Sequence, residues 1–382
     1  MSLINPYKVN VKKLDITIES IENSTDEVVN TLVENQADLI TQVQEERKSR
    51  ALLEAEIRKI ISERKLAVGD YDAFIDSVFD TLFGYGLLQP YLYDPDVSDI
   101  LVNSYNNVFI KKFGKKINVP VNFGSEENLV KYCYKIAAMC GGKLDESSNI
   151  ESVLTDRKRN LRIVISLKPV NVKSPSICIR KPTTGFSLDE LVGKGMLTNK
   201  QKDYFKKAVL DQKTIVIAGK GGSGKSTLLG ALINEVPHSE RGLLIQETFE
   251  INPKHPDIVC KLVKLSDNPE VKNYTLFELT KIGLLMSMDR IFIGELKDKE
   301  TMDFFNAVYT GHLGSMATVH ANSAREVIKR LILLMKKSGT DIPFEELKNM
   351  LASSLDIIVF LKNYKVVEIF EVSEEDVDVE LD

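Results

Sequence analysis

Nine residues, Gly219-Lys220-Gly221-Gly222-Ser223-Gly224-Lys225-Ser226-Thr227, carry the densest chemical signal in this chain. Their spacing is G-x-x-x-x-G-K-[ST], the pattern of a loop that wraps a nucleotide phosphate. Glycines keep Cβ atoms away, so backbone N–H groups at Gly219, Gly221, Gly222, Ser223 and Gly224 can turn inward toward phosphate oxygens. Lys225 is placed to reach the β- and γ-phosphates, and the Ser226 hydroxyl to ligate Mg²⁺, with Thr227 alongside. The chemistry implied is ATP or GTP binding. The bland alternative, a Gly-rich turn between a strand and a core helix, leaves the Gly-Lys-Ser-Thr order unexplained.

Breaking a triphosphate also needs acids for the metal and for the attacking water. Two apolar runs end in them. Leu243-Leu244-Ile245-Gln246 leads into Glu247 and Glu250, and Ile291-Phe292-Ile293-Gly294 leads into Glu295. Single surface glutamates are common; two at strand ends downstream of a phosphate loop are more specific, because open α/β sheets bind ligands there. A third segment, Thr310 to Ser323, holds two of the four histidines, His312 and His320, on either side of the run Ser315–Val319. A histidine beside a strand is usually structural, but this pair suits sensing of the γ-phosphate or support of Glu295. Metal ligation by them is not expected, since no thiol or carboxylate stands at ligand spacing nearby.

Elements must position these groups. Thr214–Ala218 reads as the strand before the loop, with a helix beginning near Lys225 that adds its N-terminal amides. Further strands are expected at Gly242–Gln246, Val259–Val263, Arg290–Gly294, Ser315–Val319 and Asp356–Leu361, with helices between. That alternation predicts a mostly parallel sheet. Phe186–Leu210 reads as two short helices capped by Ser187 and Thr198. Upstream, Tyr71–Phe83 and Glu126–Cys140 read as helices. Asp99–Val102, Asn107–Ile110, Ile117–Val119, Leu161–Leu167 and Ser176–Arg180 read as strands, giving an α+β domain whose second half is basic. Residues 24–68 read as helix with a polar middle around Gln44–Arg50. The run Val9–Ile18 fits either a short strand or a disordered arm, and Glu371–Asp382 an acidic, frayed tail. The expected division is a helical extension over 1–68, an α+β domain over 69–182, a linker over 183–190, and a RecA-like P-loop domain over 191–382.

The 382 residues exceed one core, and a net charge of −5 excludes a strong overall attraction to nucleic acid. No apolar run is long enough to span a bilayer and the first residues lack a signal core, so a cytoplasmic protein is expected. Cys133, Cys140, Cys178 and Cys260 are scattered without a CxxC pair, which argues against a disulfide framework or a zinc ribbon.

Taken in order, the phosphate loop, Gln246-Glu247-Thr248-Phe249-Glu250, Gly294-Glu295 and Thr310–Ser323 resemble the secretion and pilus-assembly ATPase superfamily. Phe83–Leu92, Asp94–Asn103 and Ile177–Pro182 are similar to its CpaF-type Tad/Flp pilus branch. The likeness extends over roughly residues 70–370, with several motifs in the family's order. It implies an Asp box at Gln246–Glu250, an atypical Walker B at Gly294-Glu295, and a His box containing His312 and His320. It also implies a homo-hexameric ring, ATP and Mg²⁺ as cofactors, and a peripheral seat at the inner face of the cell membrane on an inner-membrane platform protein. Glu250 would polarise the attacking water, Glu295 would organise Mg²⁺, and Arg162 or Arg180 would neutralise charge on the γ-phosphate. Residues 181–185 would form the hinge. Departures are Gln246-Glu247 for the family's usual Glu-Asp, Leu285 and Ser287 where arginines are frequent, and Leu296-Lys297-Asp298 for Val-Arg-Gly. Three other readings stay open: a type IV secretion (conjugation) ATPase, a RecA-like nucleic-acid motor, and a nucleotide-gated scaffold that scarcely hydrolyses ATP.

Overall fold

The computed structural model describes residues 18–44, 47–145, 150–182, 185–265, 270, 272–373 and 376. Most of the expected N-terminal run Val9–Ile18, part of the polar stretch at 45–46, linker residues 183–184 and two thirds of the acidic tail lie outside them. The chain forms two compact units: Met1–Ile110, Asn118–Leu154 and Val164–Cys178 make the first, and Lys111–Ile117, Thr155–Ile163 and Ile179–Asp382 the second.

In the first unit the helical stretch is three helices, α1 (Ile18–Asn35), α2 (Ala37–Gln44) and α3 (Arg50–Arg64), followed by α4 (Tyr71–Phe83). Ser49 caps the start of α3 by accepting a hydrogen bond from the Ala51 N–H. Val28, Leu32, Leu53, Ile57, Ile61, Ile75 and Val78 recur at helical spacing and bury one shared apolar cluster. After α5 (Gln89–Tyr93), β1 (Val97–Ser104), β2 (Asn107–Lys112) and β3 (Lys115–Val119) precede α6 (Glu126–Met139). They join β4 (Glu151–Asp156), β5 (Leu161–Ser166) and β6 (Ser176–Arg180) in a six-stranded sheet ordered β3-β2-β1-β6-β5-β4. β4 was not expected from the sequence. It is an edge strand with alternating burial and no continuous apolar run.

In the second unit, α7 (Leu188–Gly193) and α8 (Asn199–Leu210) begin with capping boxes, Ser187 with Glu190 and Thr198 with Gln201. The loop-bearing strand β7 (Ile215–Gly219) leads into α9 (Lys225–Ile233). Then follow β8 (Gly242–Gln246), β9 (Ile258–Leu262), α10 (Leu276–Gly283), β10 (Arg290–Leu296), α11 (Glu300–Tyr309), β11 (Met316–Val319), α12 (Ala324–Lys336), α13 (Phe344–Ser354), β12 (Ile357–Lys362) and β13 (Lys365–Glu371). These strands form a seven-stranded sheet ordered β13-β12-β7-β11-β10-β8-β9, parallel except for β13, which pairs antiparallel with β12. Glu371, expected in the tail, instead ends β13 opposite Ile357.

β7 is buried on both faces because its residues alternate between two cores. Ile215 and Ile217 pack with Leu228, Leu232 and Phe205; Val216 and Ala218 pack with Phe304, Leu331 and Leu351. At the start of β10 the guanidinium of Arg290, with no exposed side-chain surface, donates to both Glu240 carboxylate oxygens at 2.5 and 2.9 Å and to the Val209 carbonyl at 2.8 Å. This fork ties β10 to the end of α8.

Candidate functional site

The central sheet order β7-β11-β10-β8 brings four strand ends side by side. The phosphate loop follows β7, His320 follows β11, Glu295 lies in β10, and Glu247 and Glu250 follow β8. All sit at the carboxyl edge, where a parallel sheet presents loops and helix N-termini.

Within the loop, Gly222 and Gly224 have φ of +72° and +99°. The left-handed conformation favours glycine at Gly224, where a Cβ would also push on the end of the Met196 side chain. Lys225 begins α9 and is buried. Its Nζ donates to the Lys220 carbonyl at 3.2 Å and lies 3.5 Å from His320 Nε2. Burial holds the Lys225 ammonium below its ordinary pKa, an effect Glu295 and Glu250 partly offset. Lys225 forms no ion pair with any described carboxylate. A buried cation, loop amides and the unpartnered buried hydroxyl of Ser223 together fit an anionic triphosphate.

Glu295 is aimed by a bulge. Phe292 and Ile293 pair with Met316 and Ala317, but Leu296 pairs with Val319, so Gly294 and Glu295 together face Thr318. Thr318 Oγ1 donates to the Gly294 carbonyl at 2.6 Å and pins the irregularity. Glu295 Oε1 then lies 3.3 Å from His320 Nε2. The same ring nitrogen stands 3.5 Å from Lys225 Nζ, so His320 lies between the loop lysine and Glu295.

The second carboxylate group forms around Ser226. Its Oγ donates to Glu250 Oε2 at 3.0 Å, and Arg180 Nη1 donates to Glu250 Oε1 at 3.4 Å, all three residues belonging to the second unit. Glu247 is held 2.5 Å from Lys297, whose pKa this hydrogen bond raises. A hydroxyl plus nearby carboxylates is an oxygen donor set suited to Mg²⁺. Among the described residues no three His, Cys, Asp or Glu side chains converge as a cage.

Two expected members stand elsewhere. His312 lies before β11, at the opposite end of that strand from His320, and its Nδ1 is 3.1 Å from the Ala307 carbonyl. A four-residue strand rising about 3.3 Å per residue separates its flanking residues by more than a contact distance. Arg162 is exposed on β5 and pairs with none of the described site carboxylates.

Three contacts escaped the sequence reading. Lys297 neutralises Glu247; Gln246 is folded into the turn that follows it; and the Tyr364 hydroxyl lies 2.8 Å from Thr227 Oγ1. The local hint for Lys297 was its place two residues past Glu295, just beyond the end of β10.

The family described as Type II/IV secretion system protein matches residues 84–363, and the chain belongs to it. Among curated proteins, the type IV secretion system protein VirB11 of Bartonella quintana is 29% identical over 325 residues, covering 74% of this chain and 90% of its own length. VirB11 of Brucella suis is 28% identical over 306 residues, covering 72% and 84%. Among solved structures, the ATPase DotB of Legionella pneumophila is similar over 79% of this chain and 83% of its own, at 20% identity and a TM-score of 0.56. That likeness bears on the fold, an α/β architecture with a RecA-like P-loop domain. No helix among the described residues is long and apolar enough to cross a membrane.

Proposed function

We propose that this protein is a Mg²⁺-dependent ATP hydrolase that works as a homo-hexameric ring, peripheral at the inner face of the cell membrane, and drives secretion or pilus assembly through an inner-membrane platform protein. The observation that carries the hydrolase reading is the convergence of a buried Lys225, the Ser226–Glu250 hydrogen bond and the His320–Glu295 contact on one sheet edge. Loop amides and Lys225 grip the phosphates. Ser226, with Glu295, would hold the metal, which when bound neutralises phosphate charge. Glu250 orients the attacking water, and Arg180, already against Glu250, moves to the developing γ-phosphate charge. His320 reports on that charge through Glu295. Relatives that are type IV secretion system proteins favour secretion over a CpaF-type pilus. In the same reading residues 1–68, 69–182 and 191–382 are separate working parts, 183–190 is the linker, and residues 181–185 are the hinge.

Lys225→Ala is expected to lower Mg-ATP turnover by about 10²-fold or more, with the circular dichroism spectrum unchanged. Turnover within about twofold of the parent would remove the loop from the reaction.

A further inference from the structure

We infer that Gln246 is a positioning residue for the reaction: its side-chain amide holds the 247–251 turn so that Glu250 meets Ser226. The inference rests on the hydrolase reading above. Gln246 ends β8 and is 2% exposed. Its Oε1 accepts from the Glu250 N–H at 3.1 Å and from the Ile251 N–H at 2.7 Å. Its Nε2 donates to the Ile251 carbonyl at 2.9 Å. Three backbone groups of the turn, one on Glu250 and two on Ile251, therefore end on one side chain, which holds the peptide unit from which the Glu250 side chain leaves. Its carboxylate then takes the Ser226 hydroxyl at 3.0 Å.

The residue type follows from the bonds. Two of them need an acceptor and the third needs a donor, and within one side chain of this length an amide supplies both at any pH. A carboxylate in the same place keeps the two acceptor bonds and turns a buried oxygen toward the Ile251 carbonyl. Gln246 stands where the resembled family usually has Glu, so in this chain the neutral side chain is part of how the turn is built. Gln246 also lies against the bulge that aims Glu295: its Cγ would be 3.5 Å from a Cβ placed on Gly294.

The test is steady-state ATP hydrolysis by the full chain, with Gln246→Leu removing all three bonds and Gln246→Glu removing the donor alone. Gln246→Leu is expected to lower kcat by about tenfold or more and Gln246→Glu by less, with KM for ATP within about twofold of the parent in both. In a single-turnover assay with labelled ATP, adding Gln246→Leu to Glu250→Gln should cost less than about twofold further, because both changes act through one carboxylate. If kcat stays at the parent value in both variants, the inference fails. It also fails if KM rises in step with the loss, or if the two losses multiply. Should Gln246→Leu melt early, Gln246→Glu carries the decision by the same split. Lys225→Ala in the same assay separates the two levels. If it leaves turnover intact, the hydrolase reading itself is lost. If it abolishes turnover while the Gln246 variants match the parent, only the positioning role is lost.

Discussion

In the proposed reaction Glu250 carries the most weight, because among the described residues it joins the Ser226 hydroxyl, the proposed metal ligand, at 3.0 Å to the Arg180 guanidinium at 3.4 Å. Replacing it with Gln keeps size and removes the base. Glu250→Gln is expected to cut kcat by about 10²–10⁴-fold with ATP binding retained, read by parallel hydrolysis and nucleotide-binding titrations. A loss of binding matching the loss of rate would show that Glu250 only shapes the pocket. The phosphate loop was legible at this scale because its spacing is local and its order of residue types has a physical reason. Glu250 and Glu295 were legible as acids at the ends of apolar runs. Gln246, Lys297 and Tyr364 were not, because their roles depend on partners that only the folded turn and sheet order bring near. His312 and His320 read as a pair because they flank one run, whereas a strand sends its two ends to opposite edges of the sheet.

Among the elements, β10 has the most demanding task, since its C-terminal bulge aims Glu295 while its first residue is a buried arginine. Arg290 is held by a two-oxygen fork from Glu240 and by the Val209 carbonyl. Glu240→Ala leaves that guanidinium buried without its counter-charge, which costs about 3–5 kcal/mol. The expected outcome is a clear drop in the denaturant midpoint; a change below about 0.5 kcal/mol would mean that water or another acid takes over. Strands with continuous apolar runs and helices with caps were readable in the sequence: α4 begins and ends where its periodicity does, and Ser187 and Thr198 cap as their side chains suggest. Edge strands were harder. β4 alternates exposed and more buried residues without a strong apolar stretch, and β13, in which Val366 alone is buried, is defined mainly by its pairing with β12. The long N-terminal helical reading became α1, α2 and α3 because polar spacing does not say where a helix breaks.

For the whole molecule, family membership over residues 84–363 joins the site to secretion machinery, and the ring is the assembly that reading requires. Mass photometry of the full chain with Mg-ATP should show a species at about six times the 42.9 kDa chain mass, and a population that stays at the single-chain mass under turnover conditions would contradict the hexamer. The central claim is that a triphosphate lies in the 219–227 loop with its reacting end toward Glu250 and Glu295. A structure of the assembled protein with Mg²⁺ and a non-hydrolysable ATP analogue tests it most directly. Phosphate oxygens are expected within hydrogen-bond distance of the loop amides and Lys225 Nζ, and the cation on Ser226 Oγ, at about 2.0–2.1 Å. An analogue bound away from Lys225, or a γ-phosphate beyond the reach of both glutamates, would contradict it.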